Sequence, residues 1–300
     1  MIFFKSINDI LYFIYTNENR SIIAYNLIDN KKINEIKKAH DESITNFRYY
    51  LDKEKKQDLI LSTSLNNNLK LWRIDNWECL LNIVSIYTTG KLYSACFLIL
   101  KNKYYFLTSN NDAEPIKVFN DNGTLIKEIN DSKFDTNFID VYYENDNSKI
   151  YILTANDGFV KSYDYNKNEI YHIYNDNDGK SHDNLRIKKE NNLIKLIEQS
   201  YDGNIRIWNF HTGILLNKIN TGNIRLKGMC LWNNDYLFVG CDDKIIKIVD
   251  MQKSKVIDNI SDNNSIIIVL AKANIPKYGE CLISQEYGNI TKLWKIKLNN

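Results

Sequence analysis

The chain has 300 residues, 44% hydrophobic and 25% charged, with a formal net charge of +2 at pH 7. This composition excludes a disordered chain, and the near balance of charge excludes a basic stripe for nucleic acid or a polybasic membrane segment. The five cysteines (Cys79, Cys96, Cys230, Cys241 and Cys281) form no C-x-x-C pair and sit in apolar runs. They read as reduced, buried, small hydrophobes of an intracellular protein.

The N-terminal run Met1–Asp9 is apolar but broken by Lys5 and Asn8. It lacks the basic region and cleavage site of a signal peptide and reads as a strand. Paired strands follow at Ile10–Thr16 with Ser21–Leu27. A fuller set comes next: Ile44–Leu51, Leu59–Ser64, Leu69–Ile74 and Cys79–Val84. Further pairs are Tyr104–Ser109 with Ile116–Phe119, Ile150–Ala155 with Phe159–Tyr165, and Leu193–Ser200 with Asn204–Phe210. The last are Tyr236–Cys241 with Lys244–Asp250, and Cys281–Gln285 with Asn289–Ile296. Each run is short, rich in β-branched and aromatic residues, and bounded by Asn, Asp and Gly. No sustained helical stripe is present, and no apolar run nears the ~18 residues that span a bilayer.

The third strands end on Tyr25, Trp72, Phe119, Tyr163, Trp208, Val249 and Trp294, at gaps of 47, 47, 44, 45, 41 and 45 residues by subtraction. A period of roughly 40–45 residues with four short strands per unit indicates β-propeller blades. The expectation is an all-β, seven-bladed β-propeller of four-stranded antiparallel blades, in one domain over 1–300. Blade bounds are roughly 1–40, 41–88, 89–131, 132–176, 177–222, 223–262 and 263–300. Uninterrupted apolar second strands such as Leu237-Phe238-Val239 fit sheets covered on both faces. The closing strand is short or irregular: Ile2–Lys5 serves as the inner strand of blade one or as a rim strand of blade seven. One strand is missing, or the chain is part of a longer one.

Ser200-Tyr201-Asp202-Gly203-Asn204-Ile205-Arg206-Ile207-Trp208-Asn209 resembles the end of a WD repeat. Weaker copies extend the resemblance along the whole chain. It implies a structural tetrad of loop His, second-strand Ser or Thr, turn Asp and third-strand Trp. Blade five offers His182, Ser200, Asp202 and Trp208, with Glu198 at another position where the family often has Ser. Blade two offers His40, Ser62 or Ser64, Asn66 and Trp72. An Asn gives no charged acceptor, so the blade-two network is expected to be weaker. Val249 leaves blade six without an indole.

His, Ser and Asp together suggest catalysis, but a turn lock accounts for them and no G-x-S-x-G elbow accompanies them. No catalytic, cofactor or metal site is expected. His40, His172, His182 and His211 lack zinc spacing. The loop 175–183 has oxygen ligands at alternating positions and a Gly, in the manner of a calcium loop. Tyr174 and Leu185 fall where the outer ligands belong. It reads as a solvated connector, with a weak cation site as the alternative.

The resemblance implies a non-enzymatic scaffold that binds protein or peptide partners, as a monomeric ring within a larger complex. Its partner face is built from second-to-third-strand turns and the loops between blades. Those segments carry Arg20, Asp112, Glu114, Phe134, Asp135, Tyr201, Asp242, Glu286 and Tyr287. Arg20, Phe134, Tyr201 and Tyr287 are the expected contacts, since aromatic and arginine residues dominate interfaces. The alternatives are a peripheral phosphoinositide-binding propeller, although Ile224-Arg225-Leu226-Lys227-Gly228 lacks adjacent arginines, and an enzyme with a channel site. The expected location is cytoplasmic, with nuclear or cytoskeletal association as variants.

Overall fold

The computed structural model describes residues 1–112, 114–129, 136–144, 148–222, 224–233, 235–288 and 290–297. Blade one comprises β1 (Ile2–Lys5), β2 (Leu11–Thr16), β3 (Ile22–Asn26) and β4 (Lys31–Ile36). Blade two has β5 (Ile44–Asp52), β6 (Gln57–Ser64), β7 (Asn68–Arg73) and β8 (Glu78–Ile83). Blade three has β9 (Leu92–Leu100), β10 (Lys103–Asn110), β11 (Ile116–Phe119) and β12 (Leu125–Ile129). Blade four has β13 (Thr136–Glu144), β14 (Lys149–Asn156), β15 (Phe159–Asp164) and β16 (Glu169–Tyr174). Blade five has β17 (His182–Glu190), β18 (Leu193–Ser200), β19 (Asn204–Asn209) and β20 (Leu215–Asn220). Blade six has β21 (Leu226–Trp232), β22 (Tyr236–Cys241), β23 (Ile246–Asp250) and β24 (Lys255–Ile260). Blade seven has β25 (Ile267–Ile275), β26 (Gly279–Glu286) and β27 (Thr291–Lys295).

Consecutive strands are neighbours in every sheet. No helix occurs among the described residues. The protein is an all-β, seven-bladed β-propeller. The ladder from Ile2↔Ile14 to Lys5↔Leu11 makes β1 the first strand of blade one. Blade seven has three strands among the described residues.

The register explains the sequence period. Tyr25, Trp72, Trp208, Val249 and Trp294 each pair with the residue twelve positions earlier: Phe13, Ile60, Leu196, Leu237 and Leu282. Phe119 pairs with Phe106, one residue further back, because the β10–β11 connection is longer. Where the turn is short, the residue five before the period marker has positive φ: Arg20 (60°), Asn67 (62°), Gly158 (87°), Gly203 (82°) and Lys244 (69°). A tight turn between antiparallel strands needs a left-handed residue there. Gly203 also meets a close approach, since a Cβ would lie 1.8 Å from the Gly222 carbonyl oxygen.

By proximity the chain falls into two compact units, Met1–Asp157 with Lys161–Tyr171, and Gly158–Val160 with His172–Asn300. Within the first, Leu59 and Leu61 pack into a cluster with Leu92 and Phe106 of blade three. Ile60, between them in sequence, packs with Ile14 and Ile22 of blade one. In the second unit, Leu237 and Val239 join Ile197 and Ile207 of blade five, while Phe238 joins Leu270 and Leu282 of blade seven. Alternate side chains of a strand point to opposite faces, so an unbroken apolar run means a sheet sandwiched by two neighbours. Burying each such side chain contributes about 1.5–3 kcal/mol. The outer fourth strands are largely exposed, as in β8 and β24.

Four cysteines are buried free thiols, but Cys79 is exposed. It lies on the outer strand β8, which no further strand covers, so the expectation of burial fails there.

Candidate interaction surface

At one end of the blades, the turn between second and third strands is bonded to a loop that joins successive blades. Ala39 N donates to Arg20 O, Ile86 N to Asn67 O and Thr221 N to Gly203 O, each at 3.0 Å. Tyr287 N donates to Ile266 O at 2.8 Å. Acidic turn residues reinforce these joints. Glu114 Oε1 accepts from the amides of Thr88 (2.9 Å) and Thr89 (2.7 Å). Glu286, 0% exposed, accepts at Oε2 from the amides of Asn264 and Ser265, both at 2.8 Å. Both lie in segments expected to form the partner face, but their carboxylates anchor the loops between blades.

In blade two, His40 Nε2 is bonded to Ser62 Oγ at 2.7 Å, and Trp72 Nε1 donates to the same oxygen at 2.8 Å. Ser62 is therefore the bridging hydroxyl. Ser64 Oγ is buried without a partner, as are Asn66 Oδ1 and His40 Nδ1. The chain is His40–Ser62–Trp72, and Asn66 is not joined to it. Burial, and then the nearby Lys70 ammonium, push the His40 pKa down to about 3, so the imidazole is neutral. Lys70 is fixed by donating to the Ala39 carbonyl at 2.7 Å.

Blade five is built on ions. Trp208 Nε1 donates to Glu198 Oε1 at 3.4 Å, and the other Glu198 oxygen is bonded to His182 Nδ1. His182 Nε2 lies 3.3 Å from Asp178 Oδ1, and the Ser200 hydroxyl donates to Asp178 Oδ2 at 2.7 Å. Arg206, 0% exposed, pairs with Asp176 (2.8 Å), Asp178 (2.9 Å) and Asp202 (2.5 Å), with Glu198 at 3.7 Å. Burial opposes a charge on His182, but Glu198 and Asp178 outweigh it and push its pKa up to about 9. Burial alone would raise Asp178; bonds from His182, the Lys180 amide and Ser200 hold it far below the usual carboxylate range. Asp202 is likewise lowered by Arg206 and Asn204 against the effect of burial. Four carboxylates thus share Arg206, a protonated His182 and Lys218, which pairs with Asp176 at 2.7 Å. Such a group survives out of water only when each ion is matched.

His182, Ser200, Asp202 and Trp208 thus lie around one cluster, but Glu198 and not Ser200 stands between His182 and Trp208. Blade seven repeats the spacing: Trp294 Nε1 donates to Ser284 Oγ at 2.8 Å. In all three blades the acceptor stands ten residues before the indole, a spacing the sequence displays at Ser62, Glu198 and Ser284. In the 175–183 loop Asn175, Asn177, Gly179 and Lys180 are exposed, while Asp176 and Asp178 turn in to Arg206. Among the described residues no group of three or more His, Cys, Asp or Glu is placed to hold a metal ion.

Of the expected partner contacts, Arg20 is exposed with φ of 60°, its guanidinium bonded to the Asp41 carbonyl. It lines a cleft of about 700 Å³ with Lys37, Lys38, His40 and Asp41. Tyr201 is half-buried, and its hydroxyl donates to Asp183. Tyr287 is 70% exposed. Phe134 lies outside the described residues. No helix among the described residues is long and apolar enough to cross a membrane. No protein-family model and no curated protein matches the chain.

Proposed function

We propose that this propeller is of WD-repeat type and acts as a non-enzymatic scaffold, holding a protein or peptide partner at the loop end of its blades. The family reading rests on the indole-to-acceptor bonds of Trp72, Trp208 and Trp294 and on the His40–Ser62 link. The observation that carries the binding role is Tyr287: its side chain is 70% exposed while its backbone is pinned to Ile266. A large aromatic presented on a fixed backbone loses little freedom on binding and suits an interface anchor.

The histidine–serine pairs serve the fold in this reading. His40 and Ser62 are 1% and 0% exposed, and the Ser62 hydroxyl is engaged by the Trp72 indole as well as by His40. His182 is occupied by Glu198 and Asp178, and Ser200 donates to Asp178, so blade five forms no base–nucleophile pair. The free thiols fit a reducing compartment, and the proposed setting is the cytoplasm.

Cross-linked capture from the source cells, followed by reconstitution with the purified partner, tests the proposal. The expected result is a stoichiometric complex weakened about tenfold or more by Tyr287→Ala. An unchanged affinity overturns the choice of face, and recovery of no stoichiometric partner overturns the scaffold.

A further inference from the structure

Next to Tyr201 the fold leaves one cation unmatched. The Tyr201 hydroxyl donates to Asp183 Oδ2 and accepts from Lys227 Nζ at 2.9 Å, which fixes the ring. Over that ring stands the guanidinium of Arg225, its central carbon 3.5 Å from the centroid. Lys227 has a carboxylate of its own, Asp183, at 3.6 Å. Arg225 is exposed and has no ion-pair partner among the described residues. Its backbone is held as well, since Asp242 N donates to Arg225 O at 3.1 Å.

A guanidinium stacked on an aromatic face keeps the N–H groups along its edge free. Those groups match the two oxygens of a carboxylate. The stack also fixes a side chain that would otherwise lose rotamer freedom on binding. We propose that Arg225, stacked on Tyr201, is the docking point for a carboxylate side chain of an acidic peptide partner. The proposal rests on the scaffold reading and names the chemistry of its partner. One unmatched positive charge fits one carboxylate. A polyphosphorylated headgroup carries several negative charges and needs a cluster of cations, which one exposed guanidinium does not supply, and that disfavours a lipid.

The test uses two synthetic octapeptides with blocked ends, one alternating glycine with glutamate and one glycine with glutamine, titrated into the full chain at low salt. The glutamate peptide is expected to bind at least about fivefold more tightly. Arg225→Gln should abolish that preference, Arg225→Lys should leave only part of it, and Lys277→Gln should leave it intact. Equal binding of the two peptides, no binding of either at millimolar concentration, or a preference that survives Arg225→Gln overturns the proposal. So does Arg225-dependent binding to phosphatidylcholine–phosphatidylserine vesicles without a peptide preference, which would assign the site to lipid. A stoichiometric cellular partner whose affinity is indifferent to Arg225→Gln removes this site and leaves the scaffold standing.

Discussion

Glu198 takes between His182 and Trp208 the place that Ser62 takes between His40 and Trp72. One exchange, hydroxyl for carboxylate, separates the electrostatics of two blades with the same strand register. Around Ser62 the histidine is neutral. Around Glu198 it is charged, and Arg206 and three aspartates accompany it.

The pH dependence of stability should carry that difference. His182 has a folded pKa raised from 6.5 to about 9. Its contribution is therefore fully present below pH 6.5 and is lost as pH rises through about 9. The linkage amounts to at most about 3 kcal/mol. Denaturant unfolding at several pH values should show the wild type weakening over that window and His182→Gln changing much less. On the acid side, Asp178 is depressed below 3.8, so its contribution is present above that value and lost beneath it. A wild-type profile that stays flat from pH 6.5 to 9 would contradict the charged assignment of His182.

Blade two offers a gain. His40 Nδ1 and Asn66 Oδ1 are both buried and unpaired. Asn66→Asp puts a charged acceptor at the turn and should stabilise the protein by about 1 kcal/mol while raising the His40 pKa from about 3. An NMR titration of the imidazole reads the second effect directly. A loss of stability would mean that the new carboxylate does not reach the ring.

Gly203 and Gly288 separate backbone strain from collision. Both have positive φ, 82° and 91°. An added Cβ at Gly203 would sit 1.8 Å from the Gly222 oxygen, whereas at Gly288 nothing lies within 4 Å. Gly288→Ala should cost about 1 kcal/mol, the strain of a left-handed alanine. Gly203→Ala should cost clearly more, about 3 kcal/mol, because the Gly222 loop must move. Equal shifts in thermal midpoint would refute the distinction.

Trp208 is 3% exposed and its indole packs edge-on to Tyr174, with centroids 5.9 Å apart. Trp208→Ala should destabilise by about 3–5 kcal/mol in equilibrium unfolding. A change below about 1 kcal/mol would remove Trp208 from the core.

The blade period was legible because Tyr25, Trp72, Trp208, Val249 and Trp294 stand at one point of the ladder, with Phe119 one residue off it. The choice between Glu198 and Ser200, or Ser62 and Ser64, was not. Residues two apart on a strand share a face, so pattern alone cannot say which meets the indole. The pairing of Trp208 with Leu196 decides it, and that is a tertiary fact. Asp176 and Asp178 looked solvated because they lie among asparagines and a glycine. The clue to their role lay elsewhere, in Arg206 set between Ile205 and Ile207 in a central strand, a cation that burial obliges to find acids. Cys79 misled in the opposite way, since an apolar run on an outer strand still faces water.

The knot of ions around Arg206 also bears on how this sequence can drift. Replacing the arginine alone leaves several largely buried acids unmatched, and replacing one acid alone unbalances the rest, so most single steps are steep. Lineages would have to cross by coordinated exchange at 176, 178, 198, 202 and 206. The lysine- and asparagine-rich rim, meanwhile, is free to wander one codon at a time.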